Sequence, residues 1–405
     1  MTRMSDGRYA PAGSLIGMVQ RGRGLGARMA VEDPVGVAEV VHGCVRWDWR
    51  WDGLDERGVY LARLVRDLGL PLGPVVEGLA GSQERCERAA RVLGLLALSG
   101  SGEAREALRR YVGEGEHWRD VLEEMARGWP VEWWEDLGET ARARLKGDET
   151  DLWGEPWVRW GMGTRPPEDG PGPADPLVAE TNARLLELLA DPGERRQWGD
   201  AVRLLAGREP EPGLLPLVPS LGSADGERPM PLLPRAVRRL GPVAVPAARE
   251  WAGSGTGWLA ELGCRVLTEH GEVADIPVLV ADLERDWVEK RWCGPVHTAR
   301  GLARFGVEAR QAVSLLRRFW LWTPHSYERA GYLEALAAIE PAGLDGIHVE
   351  CLWDCEEAAR LLGVRKAKDG VEVRERLAYL RDDEMETAEV RAAAGERLAA
   401  LTGQG

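Results

Sequence analysis

Seven of the eighteen tryptophans fall between residues 111 and 160: Trp118, Trp129, Trp133, Trp134, Trp153, Trp157 and Trp160. The same stretch holds thirteen acidic residues against six basic ones. Its densest part, GWPVEWWEDLGE, sets Trp129, Trp133 and Trp134 beside Glu132, Glu135 and Asp136. An indole face is negative and a neighbouring carboxylate adds charge, so such a pairing attracts cations. The indole N–H also donates a hydrogen bond. The chemistry on offer is the gripping of an amine, an arginine-rich peptide or a cationic base. The competing reading is helix-packing Trp beside a solvated acidic face, because Trp is mostly buried on average. A second constellation, CVRWDWRWDG, alternates Trp47, Trp49 and Trp51 with Asp48, Arg50 and Asp52. Extended, the three rings share a side; in a helix only Trp47 and Trp51 do. Asp52 followed by Gly53 marks a turn or N-cap before a helix from about Asp55. The stretch therefore reads as a loop between helices, with some rings packed and one exposed.

A metal-like pattern is also present. Cys293-x3-His297 lies on one segment and His348-x2-Cys351-x3-Cys355 on another, spacings that put Cys and His on one helix face. The two sets sit in different repeats and neither is a C-x2-C pair, so core thiols are the expectation and zinc the alternative. The stretch RGRGLGA, Arg21 to Ala27, follows no strand and is not expected to hold phosphate. G-x-S-x-G, H-E-x-x-H and P-loop patterns do not occur, and no cofactor is expected.

The elements that must position these residues are short amphipathic helices. DERGVYLARLVRDLGLP puts Leu61, Leu64, Val65 and Leu68 on one face and stops at Gly69 and Pro71. CERAARVLGLLALSG and GEAREALRRYV repeat the pattern, and period-two alternation is nearly missing, so the fold class expected is all-α. Turn glycines Gly241, Gly271, Gly306 and Gly343 each precede an apolar helix at a spacing of 30 to 37 residues. One helix pair cannot bury its own apolar face; stacked pairs can.

On GPVAVPAARE (Gly241 to Glu250), GVEARQAVSLLRRF (Gly306 to Phe319) and AEVRAAAGERLAAL (Ala388 to Leu401) the chain resembles the short HEAT-like repeats of bacteria. The resemblance covers 50–125 and 230–405. It implies a right-handed α-solenoid of helical hairpins, with Val390, Ala393 and Leu398 as buried positions and Arg391 as the inter-repeat arginine. It says nothing about chemistry, since members mostly bind macromolecules and a few are enzymes. Nine of the sixteen residues from Gly161 to Pro176 are Gly or Pro. The expected division is therefore a disordered 1–13, a helical lobe 14–160, a linker 161–176 and a second lobe 177–405. The Pro-rich stretch 208–234 is expected to be a loop.

A net charge of −14 argues against broad nucleic-acid or anionic-membrane binding. Local arginine clusters near Arg195, Arg238 and Arg317 leave a nucleic-acid reading open. No apolar run is long enough to span a membrane and the N-terminus lacks a signal-peptide core, so a cytoplasmic protein is expected. Arg outnumbers Lys 48 to 4, with one Asn and two Phe, a bias that GC-rich codon usage, as in many actinobacteria, would produce. Some Trp would then fill core places elsewhere given to Phe. The leading expectation is a binding scaffold whose acidic, Trp-rich concave surface docks a basic protein or a small cationic ligand. The alternative is an enzyme on the same fold, either a DNA glycosylase for alkylated bases or a biosynthetic enzyme for a cationic amine. Asp136 or Glu135 would then be the catalytic carboxylate.

Overall fold

The computed structural model describes residues 9–32, 36–47, 57–145, 152–163, 176–223 and 225–402. Among them there is no β-strand, only an isolated bridge between Gly222 and Pro229. The chain is all-helical, and none of its described helices is long and apolar enough to cross a membrane.

The helices form where the apolar stripe and the end signals coincide. Gly102–Glu114 begins with the Ser101 hydroxyl accepting from the Ala104 amide, buries Ala104, Leu108 and Val112, and stops at Gly115. Arg57–Asp67 buries Tyr60, Leu61, Leu64 and Val65 and ends at Gly69, whose φ of +60° suits glycine. Gln83–Leu98 packs on Arg57–Asp67, on Gly102–Glu114 and on Trp118–Gly128, so alternate helices lie side by side. Farther along, a tight 3-10 turn leads into a longer helix three times. Gly241–Ala244 precedes Val245–Ala252, Val273–Asp275 precedes Ile276–Glu289, and Gly306–Ala312 precedes Val313–Trp322. Gly241, Gly306 and Gly343 have positive φ, which explains glycine at three of the four turns.

One contact recurs along the chain. An arginine at or just past a helix end donates to backbone carbonyls 28 to 37 residues earlier. Arg144 reaches Val112 and Gly115, Arg208 reaches Val178 and Glu180, Arg239 reaches Ala206, and Arg304 reaches Leu267 and Gly271. Arg397, from inside helix Ala388–Thr402, reaches Val364 and Ala367 in a similar way. Each satisfies orphan carbonyls that a helix C-terminus leaves open. Arg391 donates instead to the Arg381 carbonyl of the adjacent helix.

The chain forms two compact units, and they are not the two expected lobes. The first comprises Met1–Glu168, Leu321–Ala330 and Ala342–Gly405; the second comprises Asp169–Trp320 and Gly331–Pro341. The reason the C-terminal quarter leaves the second lobe is a buried ion-pair network inside the first unit. Arg23 forks onto Glu350 at 3.0 Å, Arg63 reaches Asp383 at 2.7 Å and Glu386 at 2.8 Å, and Arg329 grips Asp354 at 3.0 and 2.7 Å. Arg360 forks onto Glu386 at 2.8 Å on both nitrogens. The glycines of RGRGLGA make this approach possible. A Cβ at Gly24 would lie 1.9 Å from the Glu350 carbonyl oxygen, and one at Gly22 would lie 2.4 Å from the Cys355 sulfur.

Two further expectations change. Residues 9–13 are not frayed: Ala12 is buried, and the Ala10 amide donates to the Gln20 side chain at 2.8 Å. Within 208–234 the prolines build a packed 3-10 helix, Pro212–Ser220, which buries Leu214 and Val218. The missing proline N–H groups cost little there, because a 3-10 run of this kind has few interior bonds to lose.

Candidate functional site

The Trp-rich stretch folds as edge-to-face aromatic pairs. Trp118 meets Trp157 at 6.0 Å between ring centroids, Trp157 meets Trp160 at 6.0 Å, Trp160 meets Trp134 at 5.7 Å, and Trp129 meets Trp133 at 5.5 Å. Trp134 and Trp157 are fully buried, Trp118 and Trp129 nearly so, and Trp133 is half-buried. Three of the indole N–H groups find internal acceptors, whereas that of Trp160 is buried without one among the described residues. Trp129 donates to the Gly94 carbonyl at 3.2 Å, Trp134 to the Trp129 carbonyl at 3.3 Å, and Trp157 to the Glu123 carboxylate at 2.8 Å. The ring faces are covered by the chain's own cations: Arg105 lies 4.9 Å from the Trp133 centroid, Arg144 5.0 Å from Trp118, and Arg159 5.8 Å from Trp134. The cation attraction read from the sequence is thus already used within the fold.

What remains open beside these rings is a partly enclosed apolar pocket of about 130 Å³. It lies between Gln83–Leu98 and Trp118–Gly128, lined by Gly94, Leu98, Val121, Met125 and Trp129, with Arg91 and Glu124 as its charged members. Gly94 and Gly128 keep it open, because a side chain at either would enter free space or touch only the Trp129 nitrogen at 3.6 Å. Glu132, Glu135 and Asp136 are exposed on the segment that carries Trp133. Among the described residues no Lys or Arg is within ion-pair distance of Glu132 or Glu135. Asp136 is different: Arg109 grips it through two nitrogens, at 3.0 and 2.5 Å, and holds its carboxyl below the usual carboxylate range. A general base near neutral pH needs a shift in the other direction.

Trp47 is the exposed residue that ends helix Val37–Arg46. It borders a crevice of only about 30 Å³, shared with Cys44, Arg57, Leu61 and Arg88. Asp48, Trp49, Trp51 and Asp52 lie outside the described residues. Cys293 and His297 are exposed on the second unit, while His348, Cys351 and Cys355 are buried in the first. Burial pushes the Cys351 thiol well up and the His348 imidazole down, as packed core groups behave. No described group of three or more His, Cys, Asp or Glu is placed to hold a metal ion, so the alternative zinc set does not come together.

One titratable pair escaped the sequence reading. Asp282 and Asp286 lie one turn apart on Ile276–Glu289, and burial together with the Asp282 charge pushes Asp286 up to about 7 against the pull of Arg291 and Arg285. ADLERDWVEK looks like a solvated face; only the fold reveals that its acidic side turns inward. No family model matches this chain, and no match is found among curated proteins or solved structures.

Proposed function

We propose that this protein is a non-catalytic helical-repeat scaffold, a right-handed stack of short HEAT-like hairpins that docks a basic protein segment on the first unit beside Trp129. The recurring arginine contact and the side-by-side alternate helices support the stack. The observation that carries the docking reading is the pocket of about 130 Å³ walled by Trp129, with the exposed Glu132 and Glu135, which have no described cation within ion-pair distance, three and six residues farther along the chain. Cavities of this order accept a ring or a branched aliphatic group. A partner would insert one such side chain over Trp129 and present Lys or Arg to Glu132 and Glu135. The burial supplies affinity and the charges supply orientation and on-rate. Trp129 acts as a wall of the site, while the neighbouring Trp133, Trp118 and Trp134 turn their faces to internal arginines.

The test is a titration of a fluorescein-labelled Leu/Lys amphipathic peptide. Gly94→Leu fills the pocket and Glu132→Lys with Glu135→Lys reverses the charge. Each change should weaken binding about tenfold with unaltered helical circular dichroism. Equal affinity for wild type and both variants would reject the reading.

A further inference from the structure

The second unit carries an open groove of about 820 Å³ between helix Leu233–Arg238 and the end of helix Gly257–His270. Arg235, Arg238, Arg239 and His270 line it, against a single carboxylate, Glu269. This is a concentration of positive charge in a chain of net charge −14. The cations are poorly neutralised. Arg238 approaches Glu269 at 3.7 Å, the same carboxylate lies 3.8 Å from His270, and no described carboxylate is within ion-pair distance of Arg235. Arg239 spends one nitrogen on the Ala206 carbonyl at 2.6 Å, which fixes its position on the wall.

The positive field extends to the next helix, Pro295–Ala303. There Arg300 also has no described carboxylate within ion-pair distance. His297, although exposed at its edge, is pushed below its ordinary range by partial burial and then by the charges of Arg265 and Arg300, against the pull of Glu269. Arg265, held by Glu261 at 3.3 Å, and Arg300 thus add positive charge from outside the lining of the groove. One edge of the groove is apolar. Leu232 is exposed and sits in the left-handed region at φ +64°, beside Pro234. A non-glycine residue held there costs on the order of 1–3 kcal/mol, and such strain clusters at ligand clamps.

We infer that this groove binds an acidic segment of a protein partner, with carboxylates on Arg235 and Arg238 and an aliphatic side chain against Leu232 and Pro234. Arginine suits this role because its planar fork matches a carboxylate with two parallel bonds. A phosphodiester backbone fits less well. It presents closely spaced charge that needs an uninterrupted basic stripe, whereas Glu269 and Glu261 break this one and the apolar edge would face phosphate. A peptide spaces its carboxylates and can supply the aliphatic group. This inference does not rest on the pocket beside Trp129, which belongs to the other unit.

The experiment is fluorescence anisotropy of a labelled Glu/Leu-repeat peptide with the full chain at low salt. Wild type should bind, and affinity should fall steeply as salt rises to about 0.3 M. Arg235→Glu with Arg238→Glu should weaken binding at least about tenfold; both side chains are exposed, so the fold is not at stake. Arg235→Ala alone should weaken it severalfold, and Gly94→Leu should leave it unchanged. No peptide binding, equal binding by the charge-reversed variant, or tighter binding of a short mixed-sequence DNA duplex at the same groove would overturn the inference.

Discussion

The tryptophan-rich stretch 118–160 and the ion-pair network joining residues 20–66 to 326–386 lie in the same unit but are held by different forces. In the first, large rings leave water and pack edge to face, a gain roughly proportional to area and tolerant of small shifts. A buried indole of about 200 Å² is worth on the order of 5 kcal/mol by area. In the second, Arg23, Arg63, Arg329 and Arg360 are nearly sealed from water, and their desolvation is offset only while each keeps its carboxylate. The carboxylates of the two regions differ accordingly. Glu386 and Asp383 sit inside, whereas Glu132, Glu135 and Asp136 stand in solvent. A buried carboxylate here acts as a fastener between distant parts of the chain, and an exposed one is available to a partner.

Removing a carboxylate from each region should separate the two cases, and the largest effect belongs to Glu386. Glu386→Ala removes the carboxylate that Arg360 grips through two nitrogens and takes one of two from Arg63, so buried positive charge loses compensation. Stability measured by urea unfolding should fall by about 3–5 kcal/mol. A loss below about 1 kcal/mol would mean that the network is solvated and that the contrast with the aromatic region is wrong.

The two regions also differ in how far they could be read from sequence. Helix positions, their buried stripes and the turn glycines follow from local periodicity, so Ala104, Leu108 and Val112 were legible as core. The pairing of Arg63 with Glu386 spans 323 residues, and no local pattern encodes it. For the same reason nothing local places the C-terminal quarter with the N-terminal residues, and in RGRGLGA the sequence shows only that no strand precedes a phosphate loop. Its glycines are explained only by the backbone they approach. The aromatic stretch was conspicuous in composition, and four of its seven tryptophans, Trp118, Trp129, Trp134 and Trp157, are buried, as the packing reading expects. Its residues were legible, while the direction of each ring was not, because periodicity gives a face and not the arginine that covers it. The pocket beside Trp129 depends on Gly94 and Gly128, two residues with no chemical signal of their own.

Asp286 sharpens the comparison from the other unit, as a buried carboxylate with incomplete compensation. Arg291 reaches it at 3.0 Å, but Asp282 one turn away repels it, and it rises from 3.8 to about 7. A raised carboxylate means that the folded chain keeps a proton the unfolded chain has released. Its contribution is complete below about pH 4 and is lost as pH climbs through about 7. Asp286→Asn cannot ionise, so at pH 8 it should be more stable than wild type by about 2–4 kcal/mol, with the difference vanishing near pH 4. Thermal melts across pH 4–8 measure this. A variant that is destabilised equally at every pH would show that Asp286 keeps its charge and is held by Arg291 as firmly as Glu386 is held by its arginines.

Asp136 marks the small end of the scale. It has the same bidentate arginine geometry as the network, yet its side chain is 63% exposed and that of Arg109 is 25% exposed. Water and salt already stabilise both charges, so the pair adds little: exposed ion pairs are worth about 0–1 kcal/mol. Asp136→Asn should therefore change stability by less than about 1 kcal/mol, and less again at high salt. Its carboxyl is lowered in the fold by Arg109, so whatever it contributes is present above pH 4 and fades as pH falls through its depressed value. The same variant separates the functional readings. On the scaffold reading, peptide binding persists, because Glu132 and Glu135 rather than Asp136 have charge to spare. On the enzymatic reading, excision of methylated bases from duplex DNA by the wild type would disappear with Asp136, and that outcome would move the carboxylate from a surface ion pair to the centre of a reaction.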